Sequence, residues 1–114
     1  MIKFDKIKLI SRLEYAEIID ISQFTSITKY ENLLYYKYTQ SKPYNLNITV
    51  DNEHQELVLE FTGKVLLERY RELINIETIS YCLENINRLN IIKLNTHQII
   101  IDSQVCLCDA TKDI

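Results

Sequence analysis

Three consecutive segments alternate apolar and polar residues with a period of two, and this pattern constrains the fold more than any other feature. The segments are 33–41, 44–50 and 57–61. Alternation with one apolar face predicts antiparallel strands in a sheet that is covered on one side only. Asp51-Asn52-Glu53-His54 lies between the second and third segments, and Asp and Asn close turns with their own side chains. The predicted inward residues are Leu34, Tyr36, Tyr38, Tyr44, Leu46, Ile48, Val50, Leu57, Leu59 and Phe61.

The rest of the chain predicts helices on either side of these strands. After Gly63 the apolar spacing becomes helical, with Asn75 as a candidate N-cap and Asn90 as a candidate C-cap. Segment 96–102 fits either a helical turn or a strand. The remaining predictions are a strand at 2–10 with a bulge or turn at Asp5-Lys6, a short helix within 13–21, helices at 65–73 and 75–89, and a closing strand at 104–111. The expected fold is therefore α+β, an antiparallel β-sheet with helices packed on one face, in a single domain spanning 1–114.

Composition excludes several classes of protein. The net charge is −3, from 13 basic and 16 acidic residues, so bulk charge does not attract nucleic acid, although a local basic patch would. A single glycine argues against a glycine-rich phosphate loop. No apolar run is long enough to cross a membrane, and the N-terminus lacks the apolar region of a signal peptide. The expected location is the cytoplasm, where three cysteines are reduced thiols.

Cysteines and histidines form one candidate metal set. Cys106 and Cys108 would point the same way on a strand, and with Cys82 and His97 they could supply four zinc ligands. Cys82, however, lies on an apolar helical stripe, and buried cysteine behaves as a small hydrophobe. Core packing is the favoured interpretation of the cysteines, and surface positions are favoured for His97 and His54.

Tyrosines and carboxylates each have two interpretations. Tyr36, Tyr38 and Tyr44 could stack nucleobases on an open sheet, but they share the phase of the apolar residues, which favours the core. Glu60 on the polar face of its strand, with Asp109 and Asp113 on the last strand, could hold Mg²⁺ or Mn²⁺ through carboxylate oxygens. On these residues alone, a solvated sheet face or pairing with Lys and Arg is favoured.

Two segments carry a resemblance to a known family. Residues 57–66, LVLEFTGKVL, would run as a strand through a Thr-Gly-Lys turn into a helix, and 105–114, VCLCDATKDI, would form a later strand. This order resembles the N-terminal half of phage and plasmid rolling-circle replication initiation proteins of the filamentous-phage gene II type. Asp109 and Asp113 match the two acids of the family's second strand. Cys106 and Cys108 stand where arginine and small residues are commoner.

The resemblance implies a function connected with DNA. The family nicks one DNA strand with a tyrosine nucleophile and a divalent metal, so Asp109, Glu60 and Asp113 would sit near Mg²⁺ or Mn²⁺. The chain has no His-hydrophobic-His pair and no tyrosine after Tyr81. It is therefore expected to be a truncated or stand-alone relative of a replication initiator, without nicking activity alone, that binds DNA. The alternative is a small self-associating interaction module with no catalytic role, forming a homodimer through its C-terminal edge strand.

Overall fold

The computed structural model describes residues 3–40, 44–72, 74, 78–102 and 104–111, with side chains for 6–40, 44–67, 74 and 78–102. In chain order the elements are β1 (Lys3–Arg12), β2 (Ala16–Ile18), β3 (Ser26–Tyr30), β4 (Leu33–Tyr38), β5 (Leu46–Asp51), β6 (Glu56–Thr62), α1 (Ile79–Asn87), β7 (Ile92–Leu94), α2 (Thr96–Asp102) and β8 (Gln104–Thr111). Over the described residues, six strands form one antiparallel sheet in the order β3-β4-β5-β6-β1-β8, and β2 pairs with β7 in a separate ribbon.

The predicted fold class is confirmed, because the helices pack on one face of the antiparallel sheet. The alternating residues of β1, β4, β5 and β6 bury one face, as the period of two requires. Ile86 of α1 lies with Leu46, Leu59 and Phe61 of the sheet around an interior space too small to hold water, so the helix lies directly on that face. The buried apolar residues of sheet, helices and ribbon form a single core cluster.

Two local features of the strands follow the sequence pattern. In the turn between β5 and β6, Asp51 Oδ1 accepts hydrogen bonds from the backbone N–H groups of Glu53 and His54, at 3.1 and 3.0 Å. The side chain thereby closes the turn in the way that its residue type predicts. The pairing of β1 with β8 shifts register between Phe4 and Lys6, where a bulge or turn was predicted.

The helix predicted within 13–21 is wrong. That stretch contains a 3₁₀ turn at Leu13–Tyr15, strand β2, and the start of a second 3₁₀ turn at Ile21–Gln23. Ile18 is β-branched and favours an extended backbone, and β2 gains cross-strand partners from β7, some 75 residues later. The connector before α2 thus becomes a strand because β2 pairs with it.

The helix predicted at 65–73 is also wrong in type. Gly63–Glu72 is 3₁₀ rather than α, and Leu67 within it has a φ of 56°, which no regular right-handed helix allows. The candidate N-cap Asn75 lies outside the described residues, and α1 begins after Thr78. Asn90 follows α1 with a φ of 58°, a conformation that asparagine tolerates well. Segment 96–102 resolves as the helix α2, and no described helix is long and apolar enough to span a membrane.

Candidate functional site

One face of the sheet is left uncovered by the described part of the chain, and the strand register arranges its residues in transverse rows. One row runs through Thr28, Tyr35, Thr49, Val58 and Ile10. The next row runs through Ser26, Lys37, Asn47, Glu60 and Lys8. Directly paired residues in antiparallel strands point to the same side of a sheet, so these rows form the open face. The polar face predicted from the sequence is therefore where binding side chains would be presented.

Two of the three predicted metal ligands, Glu60 and Asp109, lie on strands toward the β8 end of the sheet. Glu60 on β6 forms an ion pair with Lys6 of β1, with Lys6 Nζ at 2.8 Å from Glu60 Oε1. Asp109 on β8 is opposite Lys6 in the β1–β8 register, so the strands of Glu60 and Asp109 flank the same central strand. Glu60 is opposite Lys8 and Asp109 is opposite Lys6, so two strand spacings and this two-residue offset put their backbones roughly 12 Å apart. Asp113 lies outside the described residues, and the metal set stays a prediction.

A second group of potential ligands occupies the β5–β6 turn. Single donor atoms of Asp51, His54 and Glu56 all lie within 4.8 Å of one another. His54 Nδ1 is 2.9 Å from Asp51 Oδ2, while the other Asp51 oxygen is occupied by two backbone N–H groups. The His54 backbone and ring hydrogen bonds lower the pKa of Asp51, and the Asp51 hydrogen bond raises the pKa of His54. These hydrogen bonds stabilise the turn. The turn lies at the surface, which is the position predicted for His54.

The cysteines and the other histidine do not assemble visibly into a zinc site. Cys82 is fully buried in the core beneath the sheet, as its apolar stripe predicts. His97 is exposed on α2, in agreement with its predicted surface position. Cys106 and Cys108 are placed on β8 by their backbone, with side chains outside the described set. The described side chains therefore do not bring any two of the proposed zinc ligands together.

The tyrosines divide between core and surface as their phase predicts. Tyr36, Tyr38 and Tyr44 are buried, and Phe24 packs against the first two with ring centroids 5.1 and 6.2 Å apart. Tyr35 points the opposite way and is 41% exposed on the open face. The three buried rings cannot stack bases, so on strands β3 and β4 such a contact is left to the exposed Tyr30 and Tyr35.

Tyr15, which follows β1, has a shifted acidity. Its hydroxyl donates a hydrogen bond to Asp102 Oδ2, and this contact raises the pKa of Tyr15. A cleft of about 310 Å³ lies beside it, walled partly by Glu14 and Glu17. A raised pKa opposes formation of the phenolate. This tyrosine therefore does not have the surroundings of a nucleophile that attacks DNA.

Strand β3 was not predicted, and it creates two features of the site. It forms the edge of the six-stranded sheet, and all five of its side chains are exposed. Its start is fixed to β4 by a hydrogen bond of 2.7 Å from Thr25 N to Lys37 O. The available signals were strand-forming residues in 26–30 and the short Glu31-Asn32 turn before Leu33.

The second feature is a cleft on the open face beside this edge, here called the edge cleft. It spans β3, β4 and β5 and has a volume of about 200 Å³. Of the described residues that line it, none is acidic. Its side chains on the open face are those of Ser26, Thr28, Tyr35, Lys37, Asn47 and Thr49.

Comparison with known proteins gives no further guide to identity. No family model, curated protein or solved structure matches this chain.

Proposed function

We propose that this chain is a non-catalytic interaction module that associates with a second copy of itself through the edge of strand β3. The observation that carries the proposal is the exposure of β3: it pairs on one side with β4, and no strand in the described part of the chain pairs with its other side. An edge strand presents unpaired N–H and C=O groups that another strand can bind. The strand is already held in an extended conformation by β4, which lowers the ordering cost of such pairing.

The composition of β3 also suits strand pairing. Natural edges are usually blunted by proline, bulges or several charges. β3 has no proline, its pairing with β4 has no register shift, and Lys29 is its one charged residue. Ile27 is 43% exposed and Tyr30 is 64% exposed, so pairing would remove apolar surface from water.

The sequence of β3 is compatible with a two-fold axis. An antiparallel register centred on Thr28 is the symmetric register that pairs all five residues of Ser26–Tyr30. In it, Thr28 faces Thr28 of the partner subunit, and Ile27 faces the partner subunit's Lys29. Threonine pairs are favourable across strands, whereas a register centred on Lys29 would place like charges opposite each other. The Thr28-centred register is therefore the one we propose.

The homodimer predicted through the C-terminal strand would use the other edge of the sheet. Strand β8 does lie at that edge among the described strands, so pairing there stays a prediction. The exposed apolar side chains of β3 favour the β3 edge.

The test is to place opposite charges at the proposed axis. We expect the native chain to sediment at twice its mass of 13.6 kDa. Thr28→Lys and Thr28→Glu should each weaken dimerisation at least about tenfold, because like charges would face each other. Mixing the two variants should restore the dimer. The measurement is sedimentation equilibrium across the micromolar range.

The matched control is Thr49→Lys, which adds the same charge to the same transverse row on an interior strand. It should leave the dimer intact. A monomeric native chain, or a Thr28→Lys chain that dimerises as well as the native one, would contradict the proposal.

A second candidate function is a relative of the replication initiators that acts with DNA and a divalent metal. The observation that favours it is the strand order, in which the strands of Glu60 and Asp109 lie on either side of β1. A metal there would displace Lys6 from Glu60. Titration calorimetry with Mn²⁺ tests this candidate: Asp109→Asn should abolish binding, while Asp51→Asn, in the turn group, should not. Equal heats from native and Asp109→Asn chains would count against it.

A further inference from the structure

We propose that the edge cleft binds one nucleotide unit of a single-stranded nucleic acid, with a base against Tyr35 and its phosphate at Lys37. This binding site is separate from the β3 edge and from the Glu60–Asp109 region. It rests on the charge, the aromatic ring and the spacing of the cleft residues, and it does not depend on the resemblance to replication initiators.

The charge of the edge cleft is opposite to that of the chain as a whole. The chain has 16 acidic residues and a net charge of −3, yet no described residue that lines the cleft is acidic. Lys37 makes no ion pair with any residue of the described ranges. An ammonium group without a carboxylate partner, in a cleft lined otherwise by hydroxyl, amide and aromatic groups, is complementary to an anion. Phosphate is the anion that such a lysine commonly binds.

The ring of Tyr35 provides a flat surface on which a nucleobase can stack. Its cross-strand neighbours on the open face are Thr28 and Thr49, which are both small. Small neighbours leave the faces of the tyrosine ring accessible, and Tyr35 as a whole residue is 41% exposed. Every nucleobase has a flat π-face, so stacking of this kind needs no particular base sequence.

The distance between Tyr35 and Lys37 allows one nucleotide to stack its base on the tyrosine and bind its phosphate at the lysine. Tyr35 and Lys37 are two residues apart on β4 and share the open face, so their Cα atoms are about 7 Å apart. A base and its own phosphate can span this distance. Asn47 is opposite Lys37 on β5, where its amide can reach either a phosphate oxygen or a base edge. The arrangement fits a single strand, because a duplex keeps its base faces stacked and inaccessible.

Binding here is compatible with pairing at the β3 edge. Strands pair in the plane of the sheet, whereas the side chains of the open face point perpendicular to it. A dimer would therefore leave both edge clefts open to the same side of one continuous sheet.

The experiment measures the fluorescence anisotropy of labelled oligothymidine and oligouridine as the native chain is added, over a series of salt concentrations. Tyr35→Ala should weaken binding about tenfold or more, the effect of losing one base–aromatic stack, and Tyr35→Phe should restore it. Lys37→Gln should reduce the slope of log affinity against log salt by about 0.7, the value for one phosphate contact on a single strand.

Matched controls change the same residue types outside the cleft. Tyr30→Ala removes another exposed tyrosine of the hairpin, and Lys29→Gln removes a lysine that lies in register with the covered face. Neither should change affinity or salt slope, with the mass of each variant measured in parallel. Tighter binding of either oligonucleotide identifies DNA or RNA as the ligand. Absence of binding, or losses in the controls equal to those in the cleft variants, would overturn the proposal.

Discussion

Replacing Phe61 with alanine is expected to lower the free energy of unfolding by about 3–5 kcal/mol, because the substitution empties a fully packed site under α1. Phe61 is 1% exposed and lies with Ile86 of α1 in the core between the helix and the sheet. A loss of this size is a large part of the stability of a domain of this length, typically about 5–15 kcal/mol. Urea denaturation followed by circular dichroism measures it.

The matched control is Val58→Ala on the same strand. Val58 has the opposite phase on β6 and is only partly buried, on the open face. Its truncation should cost about 1 kcal/mol or less. Comparable losses at both positions would mean that the second face of the sheet is covered as well. Both the edge cleft and its access to a ligand would then lose their physical basis.

The alternation between Phe61 and Val58 also explains which parts of the fold were predictable. Strands β4, β5 and β6 each bury one face, and that burial imposes the period of two on their residues. Strand β3 buries none of its side chains, so burial imposes no pattern on its sequence. Its conformation comes from pairing with β4, and such pairing leaves only a propensity signal.

The two helix predictions were wrong for different reasons, one long-range and one local. Strand β2 exists because β7 pairs with it, and no window of sequence around Ala16 contains that partner. The Gly63–Glu72 segment has helical apolar spacing, but Leu67 has a positive φ that interrupts a regular helix. Both cases are instances of tertiary structure overriding local preference.

In the candidate sites too, the contacts between side chains could not be predicted from the sequence. Glu60 was correctly placed on a polar sheet face, but its ion pair with Lys6 depends on the register of β1 against β6. The alternation in 33–41 puts Tyr35 and Lys37 on the face opposite the apolar residues, yet the edge cleft also needs β3 as a wall. Sequence pattern gives the direction in which a side chain points, and register gives its neighbours. Periodicity alone therefore cannot predict a site whose residues are neighbours on three strands.

Replacing Asn85 with alanine is the second large effect that we expect, a loss of about 2–4 kcal/mol in the free energy of unfolding. Asn85 on α1 is 1% exposed, and its Nδ2 donates to the carbonyl oxygen of Val65 at 2.9 Å. Val65 lies in the 3₁₀ segment and is fully buried, so water does not replace the lost donor readily. Arg88 Nη1 also donates to Asn85 Oδ1 at 3.0 Å, which holds the amide in this orientation.

Ser11→Ala provides the control for Asn85→Ala, since it removes a buried polar group that is not satisfied. Ser11 is buried on β1, and its Oγ has no hydrogen-bond partner among the described residues. Its removal should leave stability unchanged or raise it by up to about 1 kcal/mol, because a desolvated hydroxyl is lost with no bond broken. Equal effects of the two substitutions in urea denaturation would show that the Asn85–Val65 bond does not hold α1 to the 3₁₀ segment. The expected contrast instead makes this one amide a principal link between the helix and the irregular chain that covers the sheet.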